Sequence, residues 1–218
     1  GGAGRPMMAL TISDMTDANT ACKRIAELTK RKRSSGVPDA ICVRNDSFAT
    51  EPFSSLVQLV GELWDGAIMI ESDYPANISK ALVHVMDRRP IIIGANQANL
   101  EQFALISKTF GCPLCLSSEN LEGLMDLAEK AESMGLEDPV LDPVMRNMKQ
   151  CLELCTDLKR LSEKIPQARH SVAVRTWSGE YAMTMALVSF LVDDAIVIAD
   201  DLDADSCETI GALLKSIR

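Results

Sequence analysis

Histidine, aromatic residues and net positive charge are all scarce in this chain of 218 residues. The two histidines leave little material for a zinc site or for imidazole catalysis. The formal net charge of −9 argues against a nucleic-acid or anionic-membrane partner, because both need clustered lysine and arginine. The one basic run, Lys30–Arg33, falls late in the first predicted helix, where it complements the helix dipole at a solvated end.

Long apolar segments and a regular cysteine pattern are also missing. The longest apolar candidate, Tyr181–Leu191, is shorter than the roughly 20 residues that cross a bilayer, and no signal peptide is visible. Seven irregularly spaced cysteines do not form a disulfide framework, so we expect reduced thiols and a cytoplasmic location. With aromatic residues at 4%, the eleven methionines help to fill the core.

Short apolar runs, each followed by a helix-like segment, recur along the whole chain. Strand-sized runs that alternate with helices are typical of βα units around a parallel sheet. Eight such units predict a single (β/α)8 TIM barrel, which needs about 200–250 residues. We expect residues 1–7 to be a linker or an expression remnant and residues 8–218 to be the barrel, excerpted from a longer protein. The runs are Met8–Ile12, Ala40–Val43, Ala67–Ile70, Pro90–Ile93, Pro113–Leu116, Pro139–Leu141, Ser171–Val174 and Ala195–Ala199.

Capping residues and apolar spacing predict where the helices lie. Asp17 is a suitable N-cap for the first helix, and Pro75 fits the first turn of the third. His84 is predicted to lie within that third helix. The other predicted helices are 51–64, 119–134, 146–164 and 205–217.

Polar residues follow the predicted strands, and these positions define the rim where barrel enzymes place their sites. Rims are polar in any case, because loops must satisfy backbone groups and meet water. The rim residues are Ser13, Asp14, Arg44, Asn45, Asp46, Glu71, Ser72, Asp73, Asn96, Gln97, Ser117, Ser118, Asp142, Arg146, Asn147, Arg175, Thr176 and Asp200.

Three segments carry a family resemblance: Asp87–Ile93, which contains Arg-Arg-Pro; Gly111–Ser117; and Gly135–Pro143, which contains two Asp-Pro pairs. Together with Ala9–Asp14 they resemble the barrel domain of the large (gamma) subunit of the corrinoid iron–sulfur protein. This subunit belongs to the acetyl-CoA decarbonylase/synthase (CO dehydrogenase/acetyl-CoA synthase) family. The similarity runs in the same order over nearly the whole chain.

The resemblance implies a large subunit with a [4Fe–4S] domain, this barrel and a corrinoid-binding domain. It implies that the barrel pairs with a similar barrel in the small subunit. The assembly carries a methyl group from a methyltransferase to acetyl-CoA synthase. We therefore expect a non-catalytic scaffold and partner-docking barrel without a cofactor of its own. A homodimer is an alternative, because a surface shaped for a similar barrel can also pair with itself.

A second hypothesis is a pterin-dependent methyltransferase-like enzyme that binds methyltetrahydrofolate at the rim through Asn45, Asn96 and Asp142. Pterin-binding barrels such as dihydropteroate synthase use Asn and Asp at strand ends, because these side chains match the donors and acceptors of a pterin. Arg175 stands on the seventh strand where such barrels have a lysine. The simpler interpretation is that Asp142-Pro143 turns the chain into a long helix.

Three other groups of residues invite a metal or redox interpretation. Cys112 and Cys115 form a C-x-x-C pair, but Cys115 is predicted to lie inside a strand. Cys151 and Cys155 are one turn apart on a helix, and all four are expected to be buried small hydrophobes. The acidic cluster after the eighth strand suits a hard cation, but helix capping by Asp203 or Asp205 is the simpler account; the cluster is Asp200, Asp201, Asp203 and Asp205.

Overall fold

Eight parallel strands form a closed barrel in the computed structural model, which describes residues 6–176 and 195–216. The strands pair in sequence order, and the eighth pairs with the first. The predicted (β/α)8 barrel is confirmed, and each strand overlaps its predicted run. The strands are β1 Met7–Ser13, β2 Ala40–Arg44, β3 Ala67–Glu71, β4 Ile91–Ala95, β5 Leu114–Ser118, β6 Val140–Pro143, β7 Val172–Thr176 and β8 Ala195–Ala199.

The described helices surround the strands and begin where capping residues allow. The Asp17 carboxylate accepts a hydrogen bond from the Thr20 amide at 3.1 Å, as predicted, and this interaction lowers the pKa of Asp17. Asp203 caps the last helix by accepting from the Ser206 amide at 2.7 Å. The predicted apolar segment Tyr181–Leu191 lies outside the described residues. The helices are α1 Ala18–Ser35, α2 Thr50–Leu63, α3 Pro75–Leu82, α4 Leu100–Phe110, α5 Leu121–Ser133, α6 Met148–Ser162 and α7 Ala204–Ser216.

The prediction that His84 lies within the third helix is wrong, because α3 ends at Leu82. The chain then turns into a short 3₁₀ segment that contains Arg88. The Arg88 guanidinium donates to the carbonyl oxygens of Trp64 at 3.1 Å and Gly66 at 2.6 Å. These bonds tie the connection to the segment after α2. The helix stops at Leu82 because the next amides, those of His84 and Val85, donate three residues back and tighten the turn.

The alternation of strand residues divides the core into two apolar layers. Outward-facing strand residues pack against the helices, and inward-facing residues fill the barrel. The interior combines small side chains such as Ala9 and Ala173 with large ones such as Met69 and Ile93, so the barrel is packed. Among the described helices, none has both the length and the apolar composition that crossing a bilayer requires.

Candidate functional site

The inward-facing positions change from apolar to charged at the carboxyl ends of the strands. Arg44 ends β2 two residues after the buried Cys42, and Glu71 ends β3 two residues after the buried Met69. Arg175 has the equivalent place near the end of β7. Since side chains that face the same way recur at every second residue of a strand, these charges sit directly above the apolar interior.

Arg175 joins two carboxylates from distant strands at the barrel mouth. Its Nε donates to Asp142 Oδ2 at 3.1 Å, and its Nη1 forms an ion pair with Glu71. Ser117 Oγ donates to the same Asp142 oxygen at 2.7 Å, and the Asp142 side chain is only 2% exposed. We call Arg175, Glu71, Asp142 and Ser117 the ionic group; it links β3, β5, β6 and β7 across the barrel.

A second arginine closes the other side of the mouth. Arg44 donates to Asp46 at 2.9 Å and to Asp200, which follows β8, at 2.5 Å. Burial disfavours the charged form of both arginines, but the carboxylates more than offset this effect. The pKa values of Arg44 and Arg175 are therefore raised, and both side chains stay charged.

The cavity between these groups is small. Its volume is about 60 Å³, well below the roughly 300 Å³ at which small-molecule pockets begin. Two lining hydroxyls, Thr11 Oγ1 and Thr176 Oγ1, have no hydrogen-bond partner in the described part of the chain, and neither does the buried Asp142 Oδ1 beside Arg175. The cavity is lined by Thr11, Arg44, Glu71, Arg175, Thr176, Ile198 and Asp200.

Two cysteines lie in the apolar layer just below the ionic group. Cys42 and Cys115 are fully buried in the barrel interior, and Cys42 Sγ lies 3.7 Å from Glu71 Oε2. Burial is the main reason why the pKa of each thiol is raised well above its ordinary value; the nearby carboxylates add to the effect. Both side chains are therefore neutral thiols, which are poor nucleophiles and poor metal ligands.

Asn45 belongs to a different set of contacts in the loops above the barrel. Its Oδ1 accepts from Ser72 Oγ at 2.8 Å and from Asn77 Nδ2 at 2.7 Å. Its Nδ2 donates to Asp14 Oδ2 at 2.8 Å, and Ser47 Oγ donates to the same carboxylate at 2.5 Å. We call Asp14, Asn45, Ser47, Ser72 and Asn77 the amide network. Its members join the first three βα loops to the start of α3.

The four predicted binding residues fall into three places. Asp142 and Arg175 contact each other at the barrel mouth, whereas Asn45 is buried in the amide network. Asn96 serves its own loop, because its Oδ1 accepts from the Ala98 amide at 2.9 Å. The structure therefore brings together two of the four. Sequence reasoning missed Asn77, whose only signal is its position just after Pro75 in the first turn of a helix.

The predicted burial of the four paired cysteines is confirmed. Cys112 and Cys115 are at most 4% exposed, and Cys151 and Cys155 are fully buried on the inner face of α6. None of the seven cysteines, all of which lie in the described residues, forms a disulfide. The six buried cysteines therefore contribute to packing.

The described residues fit neither an iron–sulfur cluster nor a corrinoid. Over residues 6–176 and 195–216, no three His, Cys, Asp or Glu side chains are grouped so that they could hold a metal ion. A cluster needs several converging thiolates, and a corrin ring is far larger than the cavity at the mouth. The two imidazoles lie away from the barrel mouth, because His84 contacts Ser54 and His170 contacts Glu132.

The closed parallel sheet and its surrounding helices place this protein in the class of (β/α)8 TIM barrels, here with ion pairs at the mouth. A family model described as the CO dehydrogenase/acetyl-CoA synthase delta subunit matches residues 4–167. The chain belongs to this family, as the resemblance implied.

Several curated relatives carry the name of the gamma or large subunit. The corrinoid/iron–sulfur protein large subunit of Moorella thermoacetica is 30% identical over 57% of this chain and 28% of its own length. An acetyl-CoA decarbonylase/synthase complex subunit gamma of Methanothermobacter thermautotrophicus is 34% identical over 48% of this chain and 23% of its own length. A gamma 1 subunit of the same complex from Methanosarcina mazei is 24% identical over 97% of this chain and 44% of its own length. The chain thus spans less than half the length of these relatives.

Solved structures of dihydropteroate synthase share the fold. The enzyme of Xanthomonas albilineans superposes with a TM-score of 0.73 at 13% identity, covering 99% of this chain and 94% of that one. The enzyme of Vibrio fischeri gives 0.72 at 11% identity with the same coverage. At these identities the likeness concerns the fold alone.

Proposed function

We propose that this chain is the scaffold and partner-docking barrel of a corrinoid iron–sulfur methyl-carrier subunit in the acetyl-CoA synthase/CO dehydrogenase pathway. The observation that carries the proposal is the barrel mouth, where Arg175 binds Glu71 and Asp142. Arg175 is already engaged by both carboxylates, and the cavity beside it is only about 60 Å³, so the mouth offers little room for a small-molecule substrate. Family membership supplies the pathway.

The partner we propose is the barrel of the small subunit. The family model is named for the delta subunit, while the curated relatives are named as gamma or large subunits. This supports two subunits with similar barrels, which favours a pseudo-symmetric pair. By resemblance, the methyltransferase and acetyl-CoA synthase are further partners of the whole subunit. Its corrinoid and [4Fe–4S] cluster would be held by other parts of that subunit.

Association with a small-subunit barrel tests the proposal. The two purified barrels are mixed, and their mass is measured by size-exclusion chromatography with light scattering. We expect a one-to-one complex and no corrinoid absorbance after this chain is incubated with a corrinoid. Separate elution of the two barrels, or stoichiometric corrinoid on this chain alone, would contradict the proposal. A homodimer that the partner does not displace would favour self-association.

Pterin binding is the second candidate, and Asp142 Oδ1 is the observation that favours it. This oxygen is buried, has no hydrogen-bond partner in the described residues, and is an acceptor of the kind that a pterin N–H uses. Calorimetric titration with methyltetrahydrofolate tests it. Binding should be saturable and should be lost in Asp142→Ala but kept in Asn96→Ala, the variant of a predicted ligand that contacts only its own loop. Absence of saturable heat would remove this candidate.

A further inference from the structure

Three large apolar side chains are exposed on consecutive loops at the carboxyl end of the barrel. Met15 follows β1, Phe48 follows β2 and Tyr74 follows β3, and they are 70%, 66% and 49% exposed. The rings of Phe48 and Tyr74 meet edge to face with centroids 6.1 Å apart. We call these three residues the loop patch. Exposed aromatic side chains that contact each other on a monomer are typical of interaction sites.

The amide network holds the loop patch in place. Asn77 Nδ2 donates to the Phe48 carbonyl at 3.3 Å, and the Ser47 amide donates to Asp14 Oδ1 at 2.8 Å. Phe48 itself has a φ of 58°, a left-handed conformation that is unfavourable for a residue with a bulky side chain. The chain therefore tolerates backbone strain to present an aromatic ring to solvent, and such strain is concentrated at functional positions.

The surroundings of the loop patch are acidic. The three loops, residues 14–17, 45–49 and 72–74, contain no lysine or arginine. They contain Asp17, Asp46 and Asp73; Asp46 is paired with Arg44, whereas Asp17 is fully exposed and its pKa is lowered by its hydrogen bonds to Thr20. A second copy of this chain would present the same negative charge to this face. Charge complementarity therefore favours a different protein with a basic surface.

We propose that the loop patch docks the partner barrel through an apolar socket surrounded by lysine or arginine on the partner. This inference rests on the proposed docking function and specifies the surface that carries it. The two rings act as rigid anchors in the centre of the contact, and the aspartates at the edge set orientation and association rate.

The variant Phe48→Gly separates binding from folding. Glycine adopts a φ of 58° without strain, so the melting temperature should stay the same or rise. The same change removes a central anchor, so affinity for the small-subunit barrel should fall roughly tenfold or more. Binding should also weaken with added salt, because charged edges are screened. Tyr74→Ser and Met15→Ser, at exposed positions, provide two further variants that should lower affinity without unfolding the chain.

Val83→Ser combined with Met86→Ser is the matched control. These side chains are 60% and 45% exposed and lie after α3, away from the loop patch. If the wild type binds and the loop-patch variants bind equally well, the docking surface is wrong while the proposed function stands. If the wild type does not bind the small-subunit barrel, both fail. If Phe48→Gly instead abolishes a homodimer, the assignment of the partner is overturned.

Discussion

The charged residues of the barrel mouth and the amide network in the loops above it begin at neighbouring residues of β2 and β3. Arg44 and Glu71 line the cavity, whereas the next residues, Asn45 and Ser72, hydrogen-bond to each other outside it. Because successive strand residues face opposite sides, one step along the chain separates two kinds of chemistry. The barrel thus has a charged inner mouth and a hydrogen-bonded loop layer, each with its own task.

The two regions should respond differently to the loss of one member. In the ionic group, removing the arginine leaves charges that burial makes expensive. In the amide network, removing Asn45 leaves Ser72, Asn77 and Asp14 each short of one hydrogen bond. The only charged group among them, the Asp14 carboxylate, keeps two hydrogen bonds from Ser47. This difference predicts both the size and the salt dependence of each effect.

The largest effect is expected for Arg175→Met. Glu71 and Asp142 would then lie in the mouth without their common counter-charge, and breaking a buried pair costs about 3–5 kcal/mol. The free energy of unfolding from urea titration should fall by about 3 kcal/mol. The loss should shrink in high salt, because ions screen the repulsion between the two carboxylates.

The triple variant Arg175→Met, Glu71→Gln and Asp142→Asn is the control for that experiment. If unpaired charge causes the loss, neutralising both carboxylates should restore a large part of the stability. A triple variant that is as unstable as Arg175→Met would show instead that the arginine acts through packing. The idea that the ionic group and the amide network differ because only the first depends on paired charges would then be wrong.

A smaller effect is expected for Asn45→Ala. The substitution removes the acceptor of Ser72 and Asn77 and the donor to Asp14, and the groups left behind are buried. Unfolding free energy should fall by about 2 kcal/mol, with little dependence on salt. Asn96→Ala, at the other predicted asparagine, should cost less than about 1 kcal/mol because it loses only a local bond. Equal costs for the two variants would contradict a special role for the amide network.

The barrel itself was predictable because each strand is a short apolar run and several of the described helices have local start or stop signals. Asp17 illustrates this, since its capping role depends only on residues within one turn. The rim could also be predicted, including the positions of Asn45 and Asp142. Their partners could not, because Asn77 and Arg175 meet them only through contacts 32 and 33 residues away. The left-handed backbone of Phe48 could not be predicted for the same reason, because its carbonyl is held by Asn77, 29 residues further along the chain.

An effect that is absent at neutral pH concerns the apolar layer below the ionic group and appears only under alkaline conditions. Burial raises the pKa of Cys42 well above 9.0, so between pH 9 and 10.5 the unfolded chain loses the thiol proton while the folded chain keeps it. Unfolding free energy should therefore fall as pH rises, with this thiol contributing up to about 1.4 kcal/mol per pH unit.

Cys42→Ala should make the alkaline slope shallower, whatever constant cost the lost sulfur adds at neutral pH. Met69→Leu changes packing in the same layer without removing a titrating group, so it should leave the slope as in the wild type. Urea unfolding at three pH values in this range measures both. An unchanged slope in Cys42→Ala would mean that the thiol ionises as readily in the folded chain as in the unfolded one. The apolar layer would then not be closed off from water by the ionic group above it.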